Sequence, residues 1–167
     1  MKRVGILAAG LAALVGVSVQ AGDNALSPEA NAAYLAANAK KPGVIVTSSG
    51  LQYRIIQRGF GKRPAPTDLA TVSYKGQLIN GHVFDATEPG LPAQFTVNKL
   101  IPGWTEALEN MREGDEWELV IPPGLAYGDR GAGAAVPPGQ VLVFDLQLIT
   151  VVPPKPEEKK DDSGQSQ

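Results

Sequence analysis

The chain has 167 residues, a formal net charge of −2, one histidine and no cysteine. Without cysteine there can be no disulfide, no thiolate nucleophile and no cysteine-ligated metal site. The slightly negative charge argues against nucleic acid or an anionic membrane surface as the main partner, because both attract basic proteins. A chain of this length has room for one ordinary domain with its own core.

Residues 1–21 have the pattern of a secretory signal peptide. Met1 to Arg3 are basic, Val4 to Val17 are almost wholly small and apolar, and small residues end the segment at Ala21. The apolar run is shorter than the roughly 20 residues that a membrane-spanning helix needs. We therefore expect cleavage near Ala21, a periplasmic or secreted location and no stable membrane anchor.

Residues 22–42 are rich in alanine and asparagine and are bounded by helix signals. Ser27-Pro28-Glu29 is typical of a helix start, and Pro42-Gly43 is typical of a helix stop. The pattern predicts a short helical segment followed by a linker.

Residues 43–152 form the predicted domain, in which apolar side chains recur mainly at every second position, as in β-strands. The Asn80-Gly81 pair predicts a tight hairpin turn, because both residues tolerate positive φ angles. Alternation predicts strands at residues 51–55, 69–79, 83–84, 95–97, 117–121 and 142–149.

One segment departs from this period, since Trp104, Leu108 and Met111 recur at helical spacing. They predict a short amphipathic helix that begins at Pro102 and ends before Gly114. We expect an α+β domain in which an antiparallel, five- to six-stranded half-barrel sheet wraps around this helix. Residues 153–167 contain no apolar residue and predict a disordered polar tail.

Few side chains could carry acid-base or nucleophilic chemistry. His82 follows the predicted turn and is interpreted as a solvated hairpin residue, in preference to a catalytic base or a metal ligand. Asp85 and Glu88 are three residues apart and could form the acid-base pair of a small hydrolase, which remains an alternative. The sequence predicts no metal site and no cofactor.

Five runs of residues stand in the order and at nearly the spacing found in the FKBP family of prolyl isomerases. They are VSYKG at 72–76, GHVFD at 81–85, IPGW at 101–104, AYG at 126–128 and PP at 137–138 leading to LVFD at 142–145. The chain resembles this family over about residues 50–150. Residues 48–53 further resemble its secreted bacterial branch, which includes the macrophage infectivity potentiator.

The resemblance implies a peptidyl-prolyl cis/trans isomerase, or rotamase, that acts on X-Pro bonds in exported, folding proteins. The enzyme would desolvate and twist the X-Pro amide in an aromatic pocket. Trp104 would form the floor under a proline ring, and Tyr127 and Asp85 would supply polar groups. The implied catalytic residues are Tyr74, Phe84, Asp85, Ile101, Trp104, Tyr127 and Phe144, and the implied substrate-binding residues are Leu100, Ala135 and Val136.

Some positions depart from the family pattern. Ala93, Ala132 and Ala135 are small where many relatives are larger, and residues 88–91 are one residue short and lack the arginine that often follows Asp85. These departures predict a shallower pocket. The alternative function is therefore a proline-binding periplasmic chaperone module with little or no catalysis.

The resemblance also implies partners. They are proline-containing unfolded or folding polypeptides and the macrolide inhibitors of the family, with no nucleic acid. The branch often dimerises through a long N-terminal helical region, which is reduced here to one short segment. The reduction predicts a monomer.

Overall fold

The computed structural model describes residues 25–155. The predicted leader at 1–21 and most of the predicted tail at 153–167 lie outside this range. Within it the helices are α1 (Pro28–Asn38) and α2 (Pro102–Asn110), and the strands are β1 (Val44–Val46), β2 (Gln52–Gln57), β3 (Leu69–Leu78), β4 (Val83–Ala86), β5 (Ala93–Thr96), β6 (Glu116–Ile121) and β7 (Leu142–Val152).

All seven strands join one open antiparallel sheet in the order β1-β2-β6-β7-β3-β4, with β5 also paired to β3. The expected α+β class, an antiparallel sheet around a short helix, is confirmed. The additional strand is β1, whose three residues are too few to show an alternating pattern. The 11-residue β7 lies between β3 and β6 and forms the centre of the sheet.

Helix α2 covers one face of the sheet. Pro102 occupies its first turn, as expected, and Trp104, Ala107 and Leu108 are buried against the strands. The helix ends at Asn110, before Gly114 as expected. Its end is fixed by the buried Asp115, whose Oδ2 accepts a hydrogen bond from the Arg112 N–H at 2.7 Å.

Helix α1 packs on the face of the sheet opposite to α2. The valines that it covers alternate in sequence with the core residues on the α2 side, and successive side chains of a strand point to opposite faces. Val120, Val141 and Val143 form a small buried cluster against Tyr34 and Leu35. The sequence predicts a short helix within residues 22–42, and α1 lies inside that segment.

The Asn80-Gly81 pair reverses the chain between β3 and β4, as the sequence predicts. Gly81 has a φ of 86°, and the Leu78 N–H donates to the His82 carbonyl at 2.9 Å across the loop. His82 is exposed in this loop. The strand predicted at 95–97 starts earlier, at Ala93, and ends at Thr96, because Val97 begins a 3-10 turn that leads toward α2.

Neither helix within residues 25–155 has the length and apolar composition needed to cross a membrane.

Candidate active site

An open cavity of about 160 Å³ lies where strand residues meet the start of α2. Its walls come from β3, β4, β5, β7, the turn before α2, α2 itself and the segment after β6. The lining residues are Tyr74, Phe84, Asp85, Phe95, Leu100, Ile101, Trp104, Tyr127 and Phe144. Because these residues are spread over 71 positions of the chain, from Tyr74 to Phe144, the cavity exists only in the folded domain.

The indole of Trp104 forms the buried base of the cavity. It is 4% exposed and contacts three other aromatic rings nearly at right angles. The ring centroids lie 5.0 Å from Tyr74, 5.2 Å from Phe144 and 6.0 Å from Phe95. Edge-to-face contacts of this kind add to area burial and hold the rings in fixed orientations. The cavity therefore has a rigid apolar base.

Phe84 and Phe144 form one wall, and a glycine allows them to approach the sheet. Their centroids are 5.6 Å apart at an interplanar angle of 89°. Gly76 lies opposite Phe144 in the β3–β7 register, and a Cβ atom there would lie 2.5 Å from Phe144 Cε1 and 2.8 Å from Phe84 Cζ. Any larger residue at position 76 would displace one of the two rings.

Two polar side chains of the cavity, Tyr74 and Asp85, are joined by a hydrogen bond. The Tyr74 hydroxyl donates to Asp85 Oδ2 at 2.7 Å. Burial raises the pKa of Tyr74, and the hydrogen bond and negative charge of Asp85 raise it further. Tyr74 therefore stays neutral at physiological pH and keeps donating to Asp85. Tyr127 is 40% exposed and brings its phenol side chain to the mouth of the cavity.

One residue that lines the cavity also has a backbone N–H that is unpaired within residues 25–155. Ile101 precedes α2 as its N-cap residue, and its carbonyl accepts the Trp104 and Thr105 N–H groups. Its own N–H makes no backbone hydrogen bond within the described part of the chain. Unpaired N–H groups at a helix start are ready donors for a ligand carbonyl.

The cavity brings together most of the predicted site residues. Those that line it are Tyr74, Phe84, Asp85, Leu100, Ile101, Trp104, Tyr127 and Phe144. Ala135 and Val136 are not among its lining residues. Val136 is 2% exposed within the main core and pairs with Ala132, whereas Ala135 is exposed.

Phe95 lines the cavity although the sequence did not single it out as a site residue. The sequence does place it on a predicted strand, and an aromatic side chain on a strand next to Tyr74 was the available signal. Its ring centroid lies 6.2 Å from that of Tyr74.

The carboxylates of the alternative hydrolase site do not share a cavity. Asp85 lines the aromatic cavity, whereas Glu88 lines a separate surface depression with Lys75 and Asp145. Glycoside hydrolysis needs two carboxyl groups flanking one bond, so this arrangement disfavours it. Among residues 25–155, no three histidine, aspartate or glutamate side chains are grouped as metal ligands would be.

Comparison with protein families gives two matches. Residues 61–149 match the model of the FKBP-type peptidyl-prolyl cis-trans isomerase, and residues 18–55 match the domain amino terminal to FKBP-type peptidyl-prolyl isomerase. The first match covers every residue that lines the aromatic cavity.

Curated relatives carry related names. The chain is 54% identical over 120 residues to the FKBP-type 22 kDa peptidyl-prolyl cis-trans isomerase of Escherichia coli, covering 71% of this chain and 58% of that protein. It is 51% identical over 120 residues to the outer membrane protein MIP of Legionella longbeachae, covering 71% and 52%. The chain thus spans about half the length of the curated relatives that it matches.

Solved structures agree with the fold. A peptidyl-prolyl cis-trans isomerase from Pseudomonas syringae superposes with a TM-score of 0.70 at 37% identity, over 74% of this chain and 91% of that chain. The crystal structure of FkpA from Escherichia coli gives a TM-score of 0.71 at 43% identity, over 74% and 58%.

Proposed function

Since the chain belongs to the family of FKBP-type peptidyl-prolyl cis-trans isomerases, we propose that it accelerates rotation about X-Pro bonds in folding polypeptides. The observation that carries this proposal is the aromatic cavity of about 160 Å³ around Trp104, which has the size and apolar character to receive a proline ring. Two of its lining residues, Asp85 and Tyr127, carry polar groups that could contact the amide.

The reaction needs no nucleophile. Rotation about a peptide bond breaks amide resonance against a barrier of about 18–20 kcal/mol and leaves every covalent bond intact. The planar amide is more polar than the twisted amide. A cavity walled by aromatic rings removes water from the carbonyl and so disfavours the planar ground state relative to the twisted state.

Hydrogen bonds would add to this desolvation. The Ile101 N–H would hold a substrate carbonyl, and the Tyr127 hydroxyl would donate a second hydrogen bond. Asp85 fixes the Tyr74 ring through the 2.7 Å hydrogen bond, so its role is to position that ring and not to transfer a proton. An acceleration of about five decades requires about 7 kcal/mol of selective transition-state stabilisation.

The proposed setting of this activity is the periplasm. The signal-peptide pattern at residues 1–21 supports export, with cleavage near Ala21. The name of the Legionella relative, an outer membrane protein, is consistent with work beyond the cytoplasm. Uncatalysed X-Pro exchange takes tens to hundreds of seconds and can limit folding, so exported chains would be the substrates. We further propose that the protein is a monomer and that macrolides compete for the cavity.

The experiment that tests the proposal measures the cis/trans relaxation rate of a short X-Pro peptide. We expect Phe84→Ala to lower kcat/KM by about tenfold or more, because each lost decade corresponds to about 1.4 kcal/mol of transition-state stabilisation. Tyr127→Phe should lower it less, since only one hydroxyl is lost.

Leu91→Ala is the control, because Leu91 is 65% exposed and lies outside the cavity. It should leave the rate on a short peptide unchanged. If the peptide relaxes no faster with folded wild-type protein than in buffer alone, catalysis is refuted and the proline-binding module remains as the alternative function. Retained binding of an unfolded, proline-containing chain in that case would support the chaperone alternative.

A further inference from the structure

A second, larger cavity lies at the other end of α2. We call it the arginine groove; it has a volume of about 560 Å³ and shares no lining residue with the aromatic cavity. Ile101, just before α2, lines the aromatic cavity, and Asn110, the last residue of α2, lines the arginine groove. At 1.5 Å per residue the two residues are about 14 Å apart along the helix.

The arginine groove is positively charged although the chain as a whole carries a net charge of −2. Arg58, Arg63 and Arg112 line it, and none of them pairs with a carboxylate within residues 25–155. The one lining carboxylate, Asp115, is 6% exposed and accepts backbone hydrogen bonds from Gly59 at 2.5 Å and Arg112 at 2.7 Å. The guanidinium groups of Arg58 and Arg63 are therefore available to a ligand. That of Arg112 donates to the Gly61 carbonyl at 3.3 Å and also has no carboxylate partner in this range.

Aromatic side chains complete the arginine groove. Tyr53 and Trp117 stack with centroids 4.3 Å apart and planes 9° from parallel. Trp117 is 3% exposed, and its indole N–H has no acceptor in the part of the chain that the structure describes. Phe60 also lines the groove and is 91% exposed. A ligand that covered Phe60 would remove a large apolar surface from water.

The segment that carries Arg58, Phe60 and Arg63 is held in place without a ligand. Besides the contact of Gly59 with Asp115, the Gly61 N–H donates to the Glu113 carbonyl at 3.1 Å, and the Glu113 N–H donates to the Lys62 carbonyl at 2.9 Å. Glu113 Oε2 accepts the Lys62 N–H at 3.1 Å. A groove that is already formed loses less conformational entropy on binding.

We propose that the arginine groove is a second polypeptide-binding site, which takes a segment whose carboxylate side chains flank an aromatic side chain. The carboxylates pair with the guanidinium groups, which suit planar, bidentate contacts, and the aromatic ring packs on Phe60. Three arginines match a segment with one or two carboxylates, whereas a nucleic acid strand carries a charge at every nucleotide and would extend beyond them. The site goes beyond the proposed isomerase function and does not depend on it.

A chain that occupied both sites would have to span the distance between them. An extended polypeptide advances about 3.3–3.6 Å per residue, so at least about four residues must separate a proline in the aromatic cavity from an acidic-aromatic segment in the arginine groove. Such a second contact lengthens the residence of an unfolded chain without altering the chemistry at proline.

The test uses two fluorescent twelve-residue peptides without proline, one with Glu-Phe-Asp and one with Gln-Phe-Asn between Gly-Ser flanks. Anisotropy with the full chain should show that the acidic peptide binds about tenfold more tightly at low salt. Arg58→Gln with Arg63→Gln should abolish that difference, and Phe60→Ser should weaken binding about threefold. Lys40→Gln with Lys99→Gln removes equal charge from exposed positions outside the groove and should change nothing.

The two tryptophans locate the bound peptide. Each gives one indole N–H resonance, so the acidic peptide should shift that of Trp117 and the amides of residues 58–63, and leave that of Trp104 in place. Phe84→Ala should not alter this binding. A failure of the arginine-groove proposal can therefore be told apart from a failure of the isomerase proposal. Equal affinity for both peptides, tighter binding of a twelve-nucleotide single strand, or shifts confined to Trp104 would each overturn the proposal.

Discussion

The two faces of the sheet hold their helices by different forces. On the α2 face, eighteen buried residues form one continuous core. On the α1 face, three buried valines form the whole cluster, and the helix is fastened by buried amide side chains. Asn31 Oδ1 accepts the Val141 N–H at 2.8 Å, and Asn38 Nδ2 donates to Gln52 Oε1 at 2.9 Å.

The difference matters because the two kinds of contact respond differently to loss. Apolar burial is spread over many atoms, and its removal destabilises the whole domain. A satisfied buried hydrogen bond stabilises the fold by only about 1 kcal/mol net. A buried polar group that loses its partner destabilises its own surroundings by about 1–3 kcal/mol. Helix α1 should therefore unfold locally, whereas α2 should unfold only when the whole domain unfolds.

Leu108→Ala is the largest expected perturbation. Leu108 is fully buried on α2, and its truncation should lower the free energy of unfolding by about 2–5 kcal/mol. Urea denaturation followed by circular dichroism measures this loss. Leu91→Ala, at a position that is 65% exposed, is the matched control and should change stability by less than about 0.5 kcal/mol. A Leu108→Ala loss as small as that of the control would contradict the assignment of the core to this face.

Asn31→Ala should have a smaller and local effect. The change leaves the Val141 N–H and Gln140 Oε1 without their partner and should destabilise α1 by about 1–3 kcal/mol. Hydrogen exchange should become faster in α1 and at the Val141 amide, while α2 and β3 keep their protection. Asn98→Ala, at an exposed position, should leave the exchange pattern unchanged. Uniformly faster exchange through α2 would show that the two faces are one cooperative unit.

The smallest expected effect is a pH dependence that involves one tyrosine from each side. Burial raises the pKa of Tyr74, with Asp85 contributing, and burial followed by the charge of Glu118 raises that of Tyr34. A raised folded-state pKa gives stability that is complete below the ordinary tyrosine pKa of about 10 and is lost as pH rises toward the folded value.

Wild-type protein should therefore lose stability between pH 9 and pH 11. Tyr74→Phe should reduce that loss more than Tyr34→Phe does, because the shift at Tyr74 is the larger one. Urea midpoints at the two pH values measure the difference. A greater reduction with Tyr34→Phe would reverse the predicted order of the two sides.

The sequence predicts the α2 side well because that side depends on periodic apolar burial. Trp104 and Leu108 recur at helical spacing, and both are buried as expected. The contacts that hold α1 could not be predicted from periodicity. Asn31 contacts Gln140 across 109 positions of sequence, and no local pattern connects two amides so far apart.

The candidate site was predictable to the extent that it lies in contiguous motifs. Phe84 and Asp85 belong to one such run, and both line the cavity. Phe95 belongs to none of the motifs, so the sequence offered only its place on a predicted strand, and its packing against Trp104 shows its part in the cavity. The resemblance implied Val136 as a substrate-binding residue, and the structure buries its side chain in the main core, outside the set of residues that line the cavity. Distances between separate strands decide such cases, and they follow from register rather than from composition.

The position of β7 has a consequence for the order of folding. It is the last strand of the described chain, yet it lies at the centre of the sheet and carries Phe144. A growing chain that ends before residue 142 can pair β2 with β6 but cannot join β6 to β3. Joining them requires contacts between residues about seventy positions apart, which slows folding. The aromatic cavity therefore lacks its Phe144 wall until β7 has joined the sheet.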